Sequence, residues 1–342
     1  MQITVKKAVI DGVLHSDVLL ETSTYEILGN TNTPEYDFFV PTFVDIHCHG
    51  GGGKYVWEDF ELVRDIHREN GTSILMASLV TAELAELHES ISYLASFEDL
   101  FGIHLEGPYL SEDFCGAHDP NLLRTPDISE LQEMLAIGKG KIKMVTIAPE
   151  LPGAMEAIAF LKSSGVIPAI GHSAAGRDVT EKAINSGAQV VTHLNNGMRK
   201  IGTDDSMSDT VLKEDLYLEF IPDLHHLNIE TLEIIFKSNP KRAIAITDAM
   251  CAAGAFDGTY KIGELPVKVK DGVARLESNN KLAGSTLTMA KAFLNLEEIF
   301  GSQIAVQSCT SNAQSLLGIP KRSDYIAISH EDRKSTRLNS SH

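Results

Sequence analysis

Eight short apolar runs separated by amphipathic stretches constrain this chain more than any other feature. They occupy 43–47, 73–77, 101–105, 143–147, 167–171, 189–193, 216–221 and 243–247. Helix-period segments lie between most of them, at 58–69, 82–95, 128–136, 153–163, 177–185 and 229–237. The interval after the sixth run carries the weakest helical pattern. Near-continuous apolar strands are what a parallel sheet buried on both faces requires. Eight β-α units predict an α/β fold closed as a (β/α)8 TIM-type barrel. An open doubly wound sheet would usually carry a phosphate-binding glycine turn after its first strand. Here the first run continues as His47-Cys48-His49-Gly50-Gly51-Gly52-Gly53, which is not that fingerprint.

The barrel is expected over 41–319. Residues 1–40 have strand character at Ile3-Thr4-Val5 and Val18-Leu19-Leu20, broken by Asp11-Gly12 and Gly29-Asn30. With 320–329, where Tyr325 to Ile328 reads as a returning strand, they predict a small β domain formed from both chain termini. A β insertion is expected at about 256–284, as hairpins with Asp257-Gly258 and Asp271-Gly272 turns. Helices are expected at about 288–300 and 311–317. The tail 330–342 has a single apolar residue, Leu338, and is expected to be disordered or non-native.

Charge narrows the partners. The 342 residues include 47 acidic and 29 basic ones, a formal net charge of −18. Phosphate backbones and anionic lipids need a basic surface, so neither nucleic acid nor membrane is an expected partner. No apolar run approaches the roughly 18 residues of a membrane span. The start of the chain lacks the basic-then-apolar order of a signal peptide. Four cysteines (Cys48, Cys115, Cys251, Cys309) show no paired spacing. Reduced thiols in a soluble cytoplasmic protein are the simplest expectation.

Chemistry-bearing residues collect at the ends of the runs. His47 and His49 lie two apart on the first, so both side chains point to one face. Glu106 ends the third, where a buried carboxylate is costly unless paired or bound to metal. His104 shares that strand face and reads as core. His172 follows the fifth run, His193 ends the sixth and Asp248 follows the eighth. The carboxyl ends of barrel strands form the catalytic face. Imidazole and carboxylate donors favour zinc, iron or manganese over magnesium or calcium. No Gly-X-Ser-X-Gly elbow appears, and Cys48 should point away from its two neighbours. The set suits metal-assisted hydrolysis, with Asp248 placed to take a proton from water and pass it to a leaving nitrogen.

The motifs also carry a resemblance. Pro41-Thr42-Phe43-Val44-Asp45-Ile46-His47-Cys48-His49-Gly50 resembles the opening signature of the amidohydrolase superfamily. His104-Leu105-Glu106-Gly107-Pro108-Tyr109, Gly171-His172-Ser173, Thr192-His193-Leu194-Asn195-Asn196-Gly197-Met198 and Thr247-Asp248-Ala249-Met250 are similar to motifs of the N-acetylglucosamine-6-phosphate deacetylase family. The likeness continues through Asp257-Gly258-Thr259-Tyr260 and Ala283-Gly284-Ser285-Thr286, and runs from about residue 40 to 329. It implies a cytoplasmic metal-dependent homodimer that removes the acetyl group from an N-acetylated amino sugar. It implies that Glu106, His172 and His193 hold the principal divalent metal, zinc before iron or manganese. His47 and His49 would hold a second one, and Asp248 would be the general base and then acid. Substrate contacts would come from His118, from Asn196 and Gly197, and from His226 after the seventh strand, with His225 as the fallback.

This sequence departs from the family in places. A His-Arg-Glu-Pro-Gly-like stretch, whose arginine helps hold the substrate phosphate, is missing after the sixth run, where Arg199-Lys200-Ile201-Gly202 stands. Arg199 and Lys200 are the candidate replacements, Arg199 first because a guanidinium grips phosphate in a bidentate way that an ammonium cannot. Gly197 replaces the usual alanine, Asn195 an aromatic and Thr42 a glycine. Dihydroorotase-like relatives bridge two metals with a carbamylated lysine on the fourth strand, and Lys143 lies near the wrong end of its strand for that. Two other readings were weighed. One is an amidohydrolase of the same fold acting on a different N-acyl or cyclic amide without phosphate. The other is a non-catalytic metal- or sugar-binding protein, against which an intact Asp248 argues.

Overall fold

The computed structural model describes residues 1–320, 324–329 and 335–338. Eight parallel strands form one sheet in sequence order: Phe43–Cys48, Thr72–Leu79, Gly102–Glu106, Ile142–Ile147, Ile167–Ile170, Val190–Val191, Tyr217–Phe220 and Ala243–Ala245. These are the eight apolar runs, and they are here called barrel strands one to eight. Strand one is buried at every residue, as a strand covered on both faces must be. Between the strands run helices Phe60–Glu69, Leu84–Ala95, Ile128–Ile137, Ala154–Ser163, Arg177–Ser186 and Ile229–Ser238. Several begin on side-chain caps: Asp59 accepts from Leu62 N, Asp127 from Ser129 N and Glu130 N, and Asn228 from Thr231 N. The weak sixth interval holds one short helix, Met207–Val211.

Strands one and eight close the circle without a regular ladder. Asp248 N donates to His47 O at 2.9 Å, and Cys48 bridges Ala249 in parallel. Behind them the buried Asp45 accepts from Thr247 Oγ1 at 2.5 Å and from the backbone N–H groups of Thr247 and His47 at 3.3 Å each. Five strand ends bearing candidate chemistry therefore meet on one rim.

A second sheet joins Gln2–Ile10, Val13–Glu21, Ile27–Asn30, Tyr36–Pro41 and Tyr325–Ile328. The fold is thus a TIM-type barrel with a small β unit drawn from both termini. Asp11 and Gly12 turn the first hairpin with φ of 50° and 80°, both in the left-handed region that such a turn needs. This sheet has its own core, in which Phe39 and Tyr325 stack at 4.9 Å. Part of the tail expected to be disordered, Ser335–Leu338, pairs antiparallel with Tyr325–Ile328, because that strand offers a free edge. Residues 330–334 and 339–342 lie outside the described residues.

The insertion is a three-stranded meander, Gly258–Ile262, Leu265–Lys270 and Val273–Leu276. Its first turn is Gly263-Glu264, which corrects the expectation of a turn at Asp257-Gly258. Asp257 instead caps the second turn, accepting from Asp271 N at 2.5 Å and Gly272 N at 3.1 Å.

Candidate metal centre

The rim holds a cavity of about 450 Å³, lined by His49, Glu106, His172, His193 and Asp248 among others. Within it Glu106 Oε1 lies 3.1 Å from His172 Nε2 and 2.9 Å from His193 Nε2. The two ring nitrogens are 3.0 Å apart. Alongside, His47 Nε2 and His49 Nε2 are 3.1 Å apart, and Glu106 Oε2 is 3.1 Å from His49 Nε2. Asp248 Oδ1 stands 3.4 Å from His49 Nε2 and 3.6 Å from His47 Nε2. Two donor groups result, His47–His49–Glu106–Asp248 and Glu106–His172–His193, sharing Glu106.

The far side of each ring assigns its tautomer. His49 Nδ1 is 3.0 Å from Ser78 O, His172 Nδ1 is 2.7 Å from Phe114 O, and His193 Nδ1 is 3.2 Å from Asn196 O. His47 Nδ1 is 3.2 Å from Glu219 Oε2. Carbonyls and carboxylates only accept, so all four Nδ1 atoms carry the hydrogen. All four Nε2 atoms then turn toward each other and toward two carboxylates, and each can offer a lone pair when it holds no proton. Such a ring of acceptors needs a cation, and this donor set fits a divalent transition metal.

Without a metal, protons on the rings meet part of that demand for positive charge. Burial alone would lower the His47 ring, but Glu106 and Asp248 outweigh it and hold it well above its ordinary range. His49 is raised too, as its bonds to Asp248 and Glu106 outweigh burial. Burial works to raise Glu106, yet His47 and the rings of His118, His172 and His193 keep its carboxyl well below the usual value. Asp248 is likewise lowered against burial, chiefly by His47 and His49. Both carboxyls are therefore ionised and ask for positive charge.

Other expected residues fall into place around this centre. His118 differs from the four: its Nδ1 accepts from Thr81 N at 3.2 Å, so Nε2–H is a donor facing the cavity. Burial pushes His118 down to about 4, so it is neutral. Asn196, Gly197 and His226 line the cavity. Asp223 Oδ2 holds His226 Nδ1 at 2.7 Å, while His225 is exposed and does not line the cavity. Arg199 lies elsewhere. It does not line the cavity, because its Nη1 is turned back to Asp205 O at 3.0 Å. The cations that do line it are Lys200 and Lys281. Lys200 donates to Asn195 O and is lowered by burial, and among the described residues neither lysine pairs with a carboxylate.

Two residues match their expected structural roles. His104 sits below the centre, bonded to Ser78 Oγ at 3.0 Å and Thr146 Oγ1 at 2.8 Å, and burial keeps it neutral. Cys48 turns away from the cavity to His67 Nε2 at 3.2 Å. Sequence reasoning missed Glu219 and Lys281, and ranked Lys200 behind Arg199.

No family model matches the chain. The N-acetylgalactosamine-6-phosphate deacetylase of Escherichia coli O157:H7 is 34% identical over 278 residues, covering 78% of this chain and 74% of that protein. The N-acetylglucosamine-6-phosphate deacetylase of Caenorhabditis elegans is 33% identical over 307 residues, covering 82% and 73%. The chain belongs to the N-acetylglucosamine-6-phosphate deacetylase family. Among solved structures, the family's enzyme from Mycobacterium smegmatis superposes with a TM-score of 0.88 at 35% identity, covering 99% of this chain and 98% of that one. Members are hydrolases of linear amide C–N bonds, and the eight-stranded barrel with its terminal β sheet is this deacetylase fold.

Proposed function

We propose that this protein removes the acetyl group from an N-acetylated hexosamine 6-phosphate, giving the free amino sugar and acetate. The observation that carries the reading is the convergence of four imidazole nitrogens and two ionised carboxylates at the cavity rim. Glu106, His172 and His193 would hold the principal metal, and His47 and His49 a second. Zinc is the first candidate, with iron or manganese behind it. Bound there, a divalent cation polarises the amide carbonyl and acidifies the attacking water.

The chain's own groups do the rest. Asp248 Oδ1, beside His49 and ionised, takes the water proton and later hands it to the leaving nitrogen. His118 Nε2–H and the Asn196-Gly197 segment orient the substrate. His226, braced by Asp223, contacts the sugar. Lys200 and Lys281 supply the positive charge that a dianionic phosphate needs in a chain of net charge −18.

Two relatives at similar identity name different hexosamine epimers, so both are candidate substrates. The altered loop after strand six favours one further reading, an N-acyl substrate without phosphate. Acetate release measured on both N-acetylhexosamines, each with and without the 6-phosphate, separates these. The reading expects turnover of a phosphorylated sugar, and Lys200→Ala should raise its KM about tenfold or more. Equal use of sugars with and without phosphate would move the assignment to the second reading. A homodimer in the cytoplasm is the accompanying proposal; Leu224 and Phe256, 42% and 91% exposed, are apolar surface that a second copy could cover. Sedimentation of the purified protein tests the dimer.

A further inference from the structure

The four candidate ligand histidines dispose of their Nδ1 hydrogens differently. His49, His172 and His193 give theirs to backbone carbonyls. His47 alone gives it to a carboxylate, Glu219 Oε2 at 3.2 Å. Glu219 lies on strand seven and is fully buried. Among the described residues its Oε1 has no hydrogen-bond partner and its one ion-pair partner is His47. The same Oε2 lies 3.4 Å from His193 N, and Glu219 O accepts from Leu194 N at 2.7 Å. A buried carboxylate so poorly satisfied is a poor choice for packing, where leucine or valine would serve. Its contacts reach a candidate ligand of each metal position: the ring of His47 and the backbone of His193.

We propose that Glu219 is a positioning residue of the metal centre: it locks His47 in the Nδ1–H tautomer, aims Nε2 into the cavity and makes that nitrogen the most electron-rich of the four. A carboxylate behind a ligating imidazole both orients the ring and raises its basicity. A carbonyl can do the first but does less of the second. The bond to His193 N ties the end of strand six to the same anchor. This inference rests on reading the site as a metal centre.

The test is metal binding by purified Glu219→Gln and Glu219→Ala, read by competition with a chelator and by the absorption spectrum of the cobalt-loaded protein. Glutamine keeps the shape and an accepting oxygen but loses the charge. Alanine removes both. The expected result is a 10–100-fold loss of affinity at the His47–His49 position in the alanine variant. The glutamine variant should lose less, the cobalt spectrum should change in both, and thermal melts should confirm folding. Wild-type affinity and an unaltered spectrum in a folded glutamine variant, with no greater loss in alanine, would overturn the proposal. If the unmutated protein bound no transition metal, the reading of the site would fail first and take this proposal with it.

Discussion

Asp248 and His118 share a cavity but are prepared for opposite tasks. Asp248 is held ionised by His47 and His49 against its burial, so it can accept a proton. Replacing it with asparagine keeps its shape and removes the base. Turnover should fall by about 10²–10⁴ with metal content little changed; loss of metal with no other effect would make Asp248 a ligand instead. His118 is kept neutral by burial, near 4 against an ordinary 6.5. As pH falls from 6.5 to 4 the unfolded chain takes up a proton that the folded one refuses. Stability from this residue is therefore present above about 6.5 and lost below it, by up to about 3 kcal/mol. Denaturant titrations from pH 7 to 4.5 on metal-free protein should show His118→Gln with a shallower decline than wild type. Asp248 stood out in the sequence because reactive side chains at strand ends have few structural reasons to be there, whereas His118, in a loop, was marked only by the family resemblance. Glu219 stayed hidden because one acid inside Tyr217-Leu218-Glu219-Phe220 breaks no periodic pattern, although an acid in a fully apolar strand is itself a signal. Arg199 was favoured over Lys200 on guanidinium chemistry. The path of the backbone after Asn195 turns Arg199 toward Asp205 and Lys200 toward the cavity, and the sequence does not give that path.

At the scale of elements, strand ends aim the chemistry through backbone that sequence does not reveal. His172, His193 and Asp248 have φ of 46°, 29° and 47°, a left-handed conformation unusual for such residues. Each follows directly on a barrel strand or its extension and swings its side chain over the rim. None of these left-handed positions is itself a glycine, so they could not be read from composition. The meander after strand eight was legible as β structure, but its register was not. Asp257 looked like half of a turn and is instead the cap of the next one, holding Asp271 N and Gly272 N. Ile262 and Lys281, at this unit's edge, line the cavity. Asp257→Ala should cost about 1–2 kcal/mol through two lost charge-assisted bonds. Because the unit walls the site, KM should rise while kcat changes little. Urea melts beside steady-state kinetics check both, and an unchanged KM would detach the meander from substrate binding.

Across the whole molecule the donors come from strands one, three, five, six and eight, so a bound cation would staple the circumference of a barrel whose seam lacks a ladder. Protons compete for the same place. His47 and His49 are raised in the metal-free protein by Glu106 and Asp248, and a metal must displace whatever protons they hold. The sign follows. In metal-free protein, stability from these raised histidines is complete below their unfolded value of about 6.5 and is lost as pH climbs through their folded values. Metal binding has the opposite slope, since fewer protons remain to be displaced as pH rises. The melting temperature gained on adding metal should therefore widen from pH 6 to 9, until the histidines are fully deprotonated. The rise is about 1.4 kcal/mol of binding energy per pH unit for each proton released. Paired thermal melts, with chelator and with zinc at a fixed free concentration, measure that gap. A gap that is flat or narrows over this range would show that the metal does not compete with His47 and His49, and would place it away from the shared rim.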